Sequence, residues 1–213
     1  MGLDAQSAHR DLVDFFKSGT CERFNKNDIV INYGDSFTSA YWIEEGFAKV
    51  STYGCNGDER TYYMNGPGDF LPVVGLIDQT NEKQIFQAVN KLTVYKKTAA
   101  QFSEFVLENP LVMVGLMKQT LDLTARIHTL ITSPANQRLM CSLRLLAYRY
   151  GKPEDGHLVL EISLTQHDIG KLACLSRETA GRMLQVLEDE KAVIVGKRSI
   201  LVFPEVLNKL MNE

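Results

Sequence analysis

The spacing of hydrophobic residues divides the chain into a strand-rich part and a helical part. Between about residues 20 and 97, short segments of β-branched and aromatic residues alternate with polar turns such as NKND, GCNGD and NGPGD. Many short strands without intervening helices are typical of a β-sandwich or a double-sheet jelly roll. The predicted strands read CERF, DIVIN, AYWIEEG, FAKVSTY, ERTYYMN, QIFQAVN and LTVYKK.

Helical periodicity flanks this region. One helix is predicted from Asp4 to Lys17 and another over TAAQFSEFVLE. Pro110 then opens a long helix, LVMVGLMKQTLDLTARIHTLIT, with apolar residues spaced alternately by three and four, as in a coiled-coil seam. The seam consists of Met113, Leu116, Thr120, Leu123, Ile127 and Leu130.

The long helix carries a second apolar stripe, formed by Met117, Leu121 and Ile131. A helix packed only on its own domain is the simplest interpretation. Two apolar faces, however, suit a helix that covers its own domain with one face and a partner with the other. We therefore expect a homodimer, with the seam residues at its interface.

The next helix, PANQRLMCSLRLLAYRYG, is expected to have Ser133 as its N-cap and Pro134 at its first position, and to end at Gly151. A hinge is predicted at residues 132–134. This divides the chain into a sensor domain (1–109), a dimerisation helix (110–132) and a C-terminal domain (133–213).

The C-terminal domain contains two close helical patterns, TQHDIGKLA and RETAGRMLQVLEDE, after a short strand, LVLEI. Cys174, Leu175 and Ser176 join them, and Thr165 and Ser176 are suitable N-caps. Two short helices with such a connection predict a helix-turn-helix. The following AVIVGKRSILVF reads as a hairpin around the turn 196–199, which makes the motif a winged helix.

The second of these helices has two different faces. The inward face consists of Ala180, Met183, Leu184 and Leu187. Arg177, Glu178 and Arg182 lie on the outward side, where Glu178 and Arg182 could simply form a surface ion pair. At the start of a recognition helix, however, arginine can bind guanine and glutamate can accept from cytosine. Gly181 has no side chain, so the major groove of DNA can approach the helix backbone closely at this position.

Charge and composition limit the alternatives. The net charge of −3 argues against a broadly basic protein, so a nucleic-acid surface must be a local cluster. No apolar run is long enough to span a membrane, and no secretory signal is visible, so we expect a cytoplasmic protein with no membrane partner. The four cysteines, Cys21, Cys55, Cys141 and Cys174, are expected to be free thiols.

These segments together resemble the family of the cyclic AMP receptor protein and the fumarate–nitrate reduction regulator (Crp/Fnr). The resemblance rests on IEEGFAKVSTYGCNGDERTYYMNGPGDF and on LTQHDIGKLACLSRETAGRMLQVLEDEKAVIVGKRSILVF, and it covers almost the whole chain. It implies an α+β fold: an N-terminal double-stranded β-helix (a jelly roll like that of cyclic-nucleotide-binding domains), a long dimerisation helix and a C-terminal winged helix-turn-helix. It also implies a homodimeric transcription regulator with promoter DNA and RNA polymerase as partners.

The resemblance assigns roles to individual residues. The family's base-reading positions fall on Arg177, Glu178 and Arg182, which implies a palindrome of TGTGA-like half-sites. The family's phosphate-facing positions fall on Thr165, Ser176 and Arg198, and we expect further phosphate or flanking contacts from Gln166, His167, Thr179 and Lys197. At the turn, Cys174 replaces the family's usual glycine, which would cost free energy if its φ angle were positive. A redox role for Cys174 remains open.

The sensor domain departs from the cyclic-nucleotide-binding pattern. Pro72, Val73 and Val74 stand where the family has Gly-Glu-Leu, so the carboxylate acceptor for the ribose hydroxyl is missing. Lys83 and Gln84 replace the Arg-Ser pair, and lysine cannot supply the planar bidentate donor that a cyclic phosphate needs. Cyclic AMP is therefore not the expected effector.

The residues of the sensor domain leave two alternatives for its effector. A small organic molecule bound near Tyr62, Lys83, Gln84, Tyr95 and Thr124 is one option, and a sensor without any ligand is another. A haem would depend on lone helical histidines (His9 or His128), and an iron–sulfur cluster would need more N-terminal cysteines than Cys21. Neither cofactor is expected.

The sequence argues against two other classes of protein. A metal-dependent jelly-roll oxygenase needs two or three histidines and a carboxylate within the barrel. The four histidines (His9, His128, His157 and His167) all lie outside the strand-rich segment, so we expect neither an enzyme nor a metal site. A cyclic-nucleotide-binding module without a DNA role is opposed both by the recognition helix and by the altered sensor.

Overall fold

The computed structural model describes residues 2–72 and 83–212, with only the backbone described for residues 2–9. The chain divides into two compact units. The first comprises Met1–Tyr53 and Asn65–Ala125, and the second comprises Gly54–Met64 and Arg126–Glu213. Within the described ranges, no helix is long and apolar enough to cross a membrane.

The first part of the chain follows the predicted order of elements. They are α1 (Gly2–Lys17), β1 (Thr20–Phe24), β2 (Ile29–Ile31), β3 (Ser39–Glu45), β4 (Ala48–Tyr53), β5 (Glu59–Asn65), β6 (Phe70–Leu71), β7 (Ile85–Ala88), β8 (Leu92–Thr98), α2 (Ala99–Glu108) and α3 (Pro110–Thr132). The seven predicted strands are confirmed, and β6 was not predicted. The bounds of α3 coincide with those predicted for the long helix.

The strands form two four-stranded sheets, with the orders β1-β8-β3-β6 and β2-β7-β4-β5. The sequential strands β3 and β4 lie in different sheets, and every pairing between β1, β8, β3 and β6 is antiparallel. Gly46 joins β3 to β4 with a φ of 89°, and a Cβ there would lie 2.2 Å from the carbonyl oxygen of Lys91. Only glycine fits such a turn. This arrangement confirms the predicted jelly roll.

An aromatic core fastens α1 and α2 to the face of the first sheet. Phe16 and Phe102 are fully buried, and Phe15 stacks on Phe105 with ring centroids 4.1 Å apart. Thr98 caps α2 through a complete capping box with Gln101. The core cluster consists of Leu12, Phe16, Ala40, Trp42, Phe70, Phe102, Val106, Val112 and Leu116.

The first half of α3 belongs to this core, which corrects one residue of the predicted dimer seam. Leu116 is only 2% exposed and packs in the cluster, so it covers its own domain. Gln119, one turn further on, donates to the Phe70 carbonyl oxygen (3.0 Å) and accepts from the Phe70 amide (3.2 Å). These two bonds fix α3 to the backbone of β6.

The exposed face of α3 contains the second apolar stripe that was identified in the sequence. Met117, Leu121 and Ile131 are 58%, 64% and 77% exposed, and Val114 is also exposed. Of the remaining seam residues, Met113 and Ile127 are exposed, whereas Thr120, Leu123 and Leu130 are half-buried. The uncovered apolar face of this helix therefore runs through the second stripe rather than through Leu116.

The remainder of the chain has its own sheet, with the order β11-β12-β10-β9. Its elements are α4 (Ala135–Tyr150), β9 (Lys152–Glu154), β10 (His157–Leu160), α5 (Gln166–Leu172), α6 (Arg177–Asp189), β11 (Val193–Val195), β12 (Ile200–Val202) and α7 (Pro204–Met211). The predicted cap of α4 was wrong. Pro134 is itself the N-cap and forms no side-chain cap bond, because α4 starts one residue later, at Ala135. Strand β9 and helix α7 were not predicted.

Candidate nucleic-acid interface

The connection between α5 and α6 is a Schellman turn. The amide of Leu175 donates to the carbonyl of Gly170 (2.9 Å), and the amide of Cys174 donates to that of Lys171 (3.0 Å). Cys174 occupies the position that favours glycine and has a φ of 52°. The cost expected from a non-glycine residue in the left-handed region therefore applies here.

Both helices of the motif have the predicted caps. The Thr165 hydroxyl accepts from the Asp168 amide (3.1 Å), while the Asp168 carboxylate accepts from the Thr165 amide (2.9 Å). The Ser176 hydroxyl accepts from the Thr179 amide (3.2 Å) and donates to the Thr179 hydroxyl (2.9 Å). These bonds define where α5 and α6 begin and leave both N-termini at the surface.

Helix α6 buries one face and exposes the residues expected to read bases. Ala180, Leu184 and Leu187 are buried and Met183 is half-buried, which agrees with the predicted inward face. On the opposite side, the outward face exposes Arg177, Glu178 and Arg182. Within the described part of the chain, no ion pair joins Glu178 to Arg182. Their charged groups are therefore accessible to a ligand.

The start of α5 lies beside this outward face. A Cβ built on Gly181 would lie 3.2 Å from the Gln166 side-chain oxygen. The side-chain amide of Gln166 therefore packs against the backbone of α6 at Gly181. Thr165, Gln166 and His167 are all exposed. The helix-turn-helix thus places the start of α5 and the outward face of α6 on one continuous surface.

Besides the pairing of β12 with β10, two hydrogen bonds attach the wing to the same unit. The Ser163 hydroxyl donates to the Lys197 carbonyl (2.9 Å), and the Val195 amide donates to the Glu188 carboxylate (2.9 Å). The hairpin closes through the Gly196 amide and the Ser199 carbonyl (2.9 Å), with Lys197 and Arg198 exposed at its tip. Two cationic side chains are thereby presented on the wing.

Sequence reasoning missed two arginines behind the turn. Arg126 on α3 donates to the Leu172 carbonyl and to the Ser142 hydroxyl (2.7 Å). Arg138 on α4 donates to the carbonyls of Ala173 (3.0 Å) and Cys174 (3.4 Å). Burial, together with the positive charge of Arg138, lowers the pKa of Arg126 to about 10. The sequence gives no signal for these contacts, because their acceptors are mainly backbone carbonyls.

The structure describes all five predicted effector residues. Tyr95 is half-buried and packs on the aromatic core, with its ring centroid 6.2 Å from that of Trp42, so its role in a ligand pocket stays a prediction. Trp42 and Tyr95 are register partners, and their shared sheet face is covered by helices. Thr124 is exposed and donates to the Thr120 carbonyl of its own helix (2.9 Å). Lys83 is exposed, and Tyr62 and Gln84 are half-buried. Val73 and Val74 lie outside the described residues.

The first unit contains a cavity of about 300 Å³ that was not predicted. It is lined by Val30, Ile31, Asp35, Ser36, Phe37, Thr38, Ser39, Tyr41 and Pro72. Such a volume lies at the lower end of small-molecule sites. Among the described residues, no cluster of histidine, cysteine, aspartate or glutamate could hold a metal ion, and all four cysteines are free.

Comparisons with known proteins agree with this architecture. Residues 21–109 match the family model "Cyclic nucleotide-binding domain", and residues 137–210 match "Crp-like helix-turn-helix domain". The cAMP-activated global transcriptional regulator CRP of Salmonella typhimurium is 24% identical over 188 residues, covering 85% of this chain and 88% of that protein. The global nitrogen regulator of Nostoc sp. is 25% identical over 187 residues, covering 85% and 84%.

Solved structures share the fold. FixK2 from Bradyrhizobium japonicum superimposes with a TM-score of 0.73 at 17% identity, covering 89% of this chain and 96% of that one. A cyclic nucleotide-binding domain containing protein from Listeria monocytogenes gives 0.75 at 16% identity, covering 93% and 98%. The matched family consists of transcription regulators, which confirms the prediction that this chain is not an enzyme. With a cyclic-nucleotide-binding-type jelly roll followed by a Crp-like helix-turn-helix, the chain belongs to the Crp/Fnr family of DNA-binding transcription regulators.

Proposed function

We propose that this regulator is a homodimer that reads a palindrome of TGTGA-like half-sites with Arg177, Glu178 and Arg182. The observation that carries the proposal is that these three side chains are exposed on the first turns of α6, whose opposite face is buried. Arginine binds the O6 and N7 atoms of guanine with two parallel hydrogen bonds, and glutamate accepts from the N4 amino group of cytosine. This set of donors and acceptors suits G·C pairs in a major groove.

A second group of residues positions the protein on the phosphates. The proposed contacts are Thr165, Gln166, His167, Ser176, Thr179, Lys197 and Arg198. Support comes from the exposed start of α5, from the hydroxyl-capped start of α6 and from the two cations on the wing. Phosphate contacts of this kind supply affinity and register but little sequence information.

The dimer is proposed to form along α3, within a division into a sensor (1–109), a dimerisation helix (110–132) and a DNA-binding domain (133–213). The exposed side chains of Val114, Met117 and Leu121, with Ile131 further along the helix, support this assignment, since monomeric proteins rarely expose large apolar patches. A two-fold dimer matches a palindrome whose half-sites lie about one helical turn of DNA apart.

Control is proposed to come from an effector other than cyclic AMP. Relatives named for cyclic AMP activation are only 24% identical to this chain. Pro72 supplies no backbone donor at the position of a family glycine, and exposed Lys83 replaces the arginine of the phosphate site. The cavity beside Tyr41 and Pro72 is a candidate effector site. We further propose that the regulator acts in the cytoplasm on promoters that RNA polymerase uses.

Binding to DNA duplexes tests the central proposal. Fluorescence anisotropy with a duplex carrying two inverted TGTGA half-sites, centred one helical turn apart, should give a much lower Kd than a scrambled duplex of equal length. A single half-site should bind more weakly than the palindrome. Equal affinity for the palindrome and the scrambled duplex would show that the proposed specificity is wrong.

Calorimetry tests the effector proposal separately. Titration of the full-length protein with cyclic AMP, and then with cyclic GMP, should give no saturable heat. Saturable binding of either nucleotide at micromolar concentration would contradict the proposed consequence of Pro72 and Lys83. That outcome would leave the DNA-binding proposal intact.

A further inference from the structure

The carbonyl groups at the end of α5 are satisfied in an unusual way. A helix leaves its last carbonyls without partners inside the helix. The Schellman turn satisfies two of them, those of Gly170 and Lys171. The next three carbonyls along the chain accept from arginine side chains of other helices. We name the arginine clamp as Arg126 and Arg138 together with the carbonyls of Leu172, Ala173 and Cys174.

The two arginines reach the turn from different helices and are linked to each other. Arg126 belongs to α3, whereas Arg138 belongs to α4. Ser142 connects them, because its hydroxyl accepts from Arg126 (2.7 Å) and donates to the Arg138 carbonyl (2.5 Å). Three helices, α3, α4 and α5, therefore meet in one hydrogen-bonded network behind the turn. The positive charges also lie at the negative end of the α5 dipole.

Arg126 is energetically unfavourable at this position. It is only 4% exposed, and no carboxylate pairs with it among the described residues. Its Nη1 atom has no hydrogen-bond partner within the described part of the molecule. A buried guanidinium without a counter-charge lowers stability, so folding energy alone does not explain why it is there.

We propose that the arginine clamp is a positioning device for the recognition helix, through which the position of α3 sets that of Arg177 and Glu178. Only Leu175 and Ser176 separate the last clamped carbonyl from Arg177. A shift of the clamp therefore moves the start of α6, where the base-reading residues lie. The inference rests on the proposed DNA-binding function and adds a route for its regulation.

Helix α3 carries a second polar anchor on the same face as the clamp. Gln119 and Arg126 are seven residues apart, which places them on one side of the helix. Gln119 holds the backbone of Phe70, and Pro72, which lines the sensor cavity, lies two residues beyond. Gln119 and Arg126 thus each tie α3 to backbone groups by hydrogen bonds, Gln119 in the first compact unit and Arg126 in the second.

The rival interpretation is that Arg138 contacts DNA phosphate directly. Conservative substitution separates the two roles. Arg138→Lys keeps the charge but cannot serve two carbonyls with a planar fork. A lost phosphate contact lowers affinity for all sequences and reduces the salt dependence by about one ion. A displaced recognition helix lowers affinity for the specific site alone.

The experiment compares Arg138→Lys, Arg126→Gln and Ser142→Ala with Arg144→Lys as the control. Arg144 lies on the same helix as Arg138 but bonds to Asn208 (3.2 Å), away from the turn. Anisotropy with the palindrome and the scrambled duplex, at several salt concentrations, gives affinity and salt slope. Thermal unfolding of each variant shows whether it is folded.

We expect Arg138→Lys and Arg126→Gln to bind the palindrome about tenfold more weakly or worse. A loss of this size corresponds to weakening one bidentate contact between an arginine and a base. Affinity for scrambled DNA and the salt slope should not change, and Arg144→Lys should behave as wild type. Wild-type affinity in folded Arg138→Lys, or an equal loss on both duplexes, would overturn the clamp. If Arg126→Gln does not fold, Ser142→Ala decides its role: the clamp requires a smaller but still palindrome-specific loss.

A failure of the clamp is distinguishable from a failure of the proposed function. Wild-type protein that does not discriminate between the two duplexes refutes the function itself. Wild-type protein that discriminates, with clamp variants that discriminate equally well, refutes only the clamp.

Discussion

Gly170 on α5 and Ala180 on α6 face each other where the two helices of the DNA-binding motif pack closely together. A Cβ built on Gly170 would lie 2.9 Å from the Cβ of Ala180 and 3.3 Å from the Leu175 carbonyl oxygen. Gly170 and Ala180 are both buried. The smallest residues are therefore needed on both sides for the helices to cross at this distance.

Gly170→Ala should consequently destabilise the protein. Overpacking at a rigid contact costs about 1–3 kcal/mol, which exceeds the gain in helix propensity. Chemical denaturation of the full-length protein measures this loss. Gly115→Ala is the matched control, since Gly115 lies in α3 with nothing within 4 Å of an added Cβ. That variant should be neutral or more stable, and equal destabilisation of both variants would contradict the role of the contact.

Cys174→Gly should stabilise the protein. The φ of 52° places Cys174 in the left-handed region, where a side chain costs about 1 kcal/mol relative to glycine. The side chain is exposed, so its removal loses little packing. We expect a gain of up to about 1 kcal/mol in the free energy of unfolding, with unchanged DNA affinity. Cys174→Ala serves as the control because it keeps the Cβ and should give no gain.

Leu121→Asp should dissociate the proposed dimer. Leu121 lies in the middle of the exposed stripe of α3, and burying a carboxylate in an apolar interface is strongly unfavourable. Analytical ultracentrifugation should show a shift from dimer to monomer. Leu107→Asp is the control, because this leucine on α2 is 81% exposed and lies outside the stripe. A dimer that survives in Leu121→Asp would place the interface elsewhere, and a monomeric wild type would refute dimerisation.

The sequence predicted the main elements of the fold because local patterns determine them. Turn residues separate the strands, Pro110 opens α3, and Thr165 and Ser176 mark the helix starts by their capping chemistry. Periodicity shows that α3 has two apolar faces, but it does not show which face its own domain covers. Leu116 was therefore assigned to the partner although it lies in the core.

Other features left no readable pattern in the sequence. Strand β6 has only two residues, Phe70 and Leu71, which is too short for an alternation. The pairing of Tyr95 with Trp42 depends on the register between distant strands. The arginine clamp binds backbone carbonyls, and these groups are the same in every residue. The acceptors for Arg126 and Arg138 could therefore be found only from the fold.

Arg177→Ala and Arg198→Ala should weaken DNA binding in different ways. Loss of a bidentate contact from Arg177 should cost about 1–3 kcal/mol at one guanine and relax specificity at that position. Loss of a wing cation in Arg198→Ala should weaken all sequences similarly and reduce the salt slope by about 1. Anisotropy with duplexes substituted at each half-site position measures both effects. A uniform loss in Arg177→Ala would show that this residue contacts phosphate instead of a base.

Gly181→Ala should separate stability from function at the recognition surface. Alanine favours the helix over glycine by about 1 kcal/mol, and the nearest atom to the new Cβ is the end of the flexible Gln166 side chain. The variant should therefore unfold at a higher temperature. If the bare backbone allows close approach of the groove, its affinity for the palindrome should nevertheless fall. Gln166→Ala controls for the displaced amide, since it removes that side chain and leaves Gly181 in place. A more stable Gly181→Ala variant with unchanged affinity would show that the groove does not approach α6 at this position.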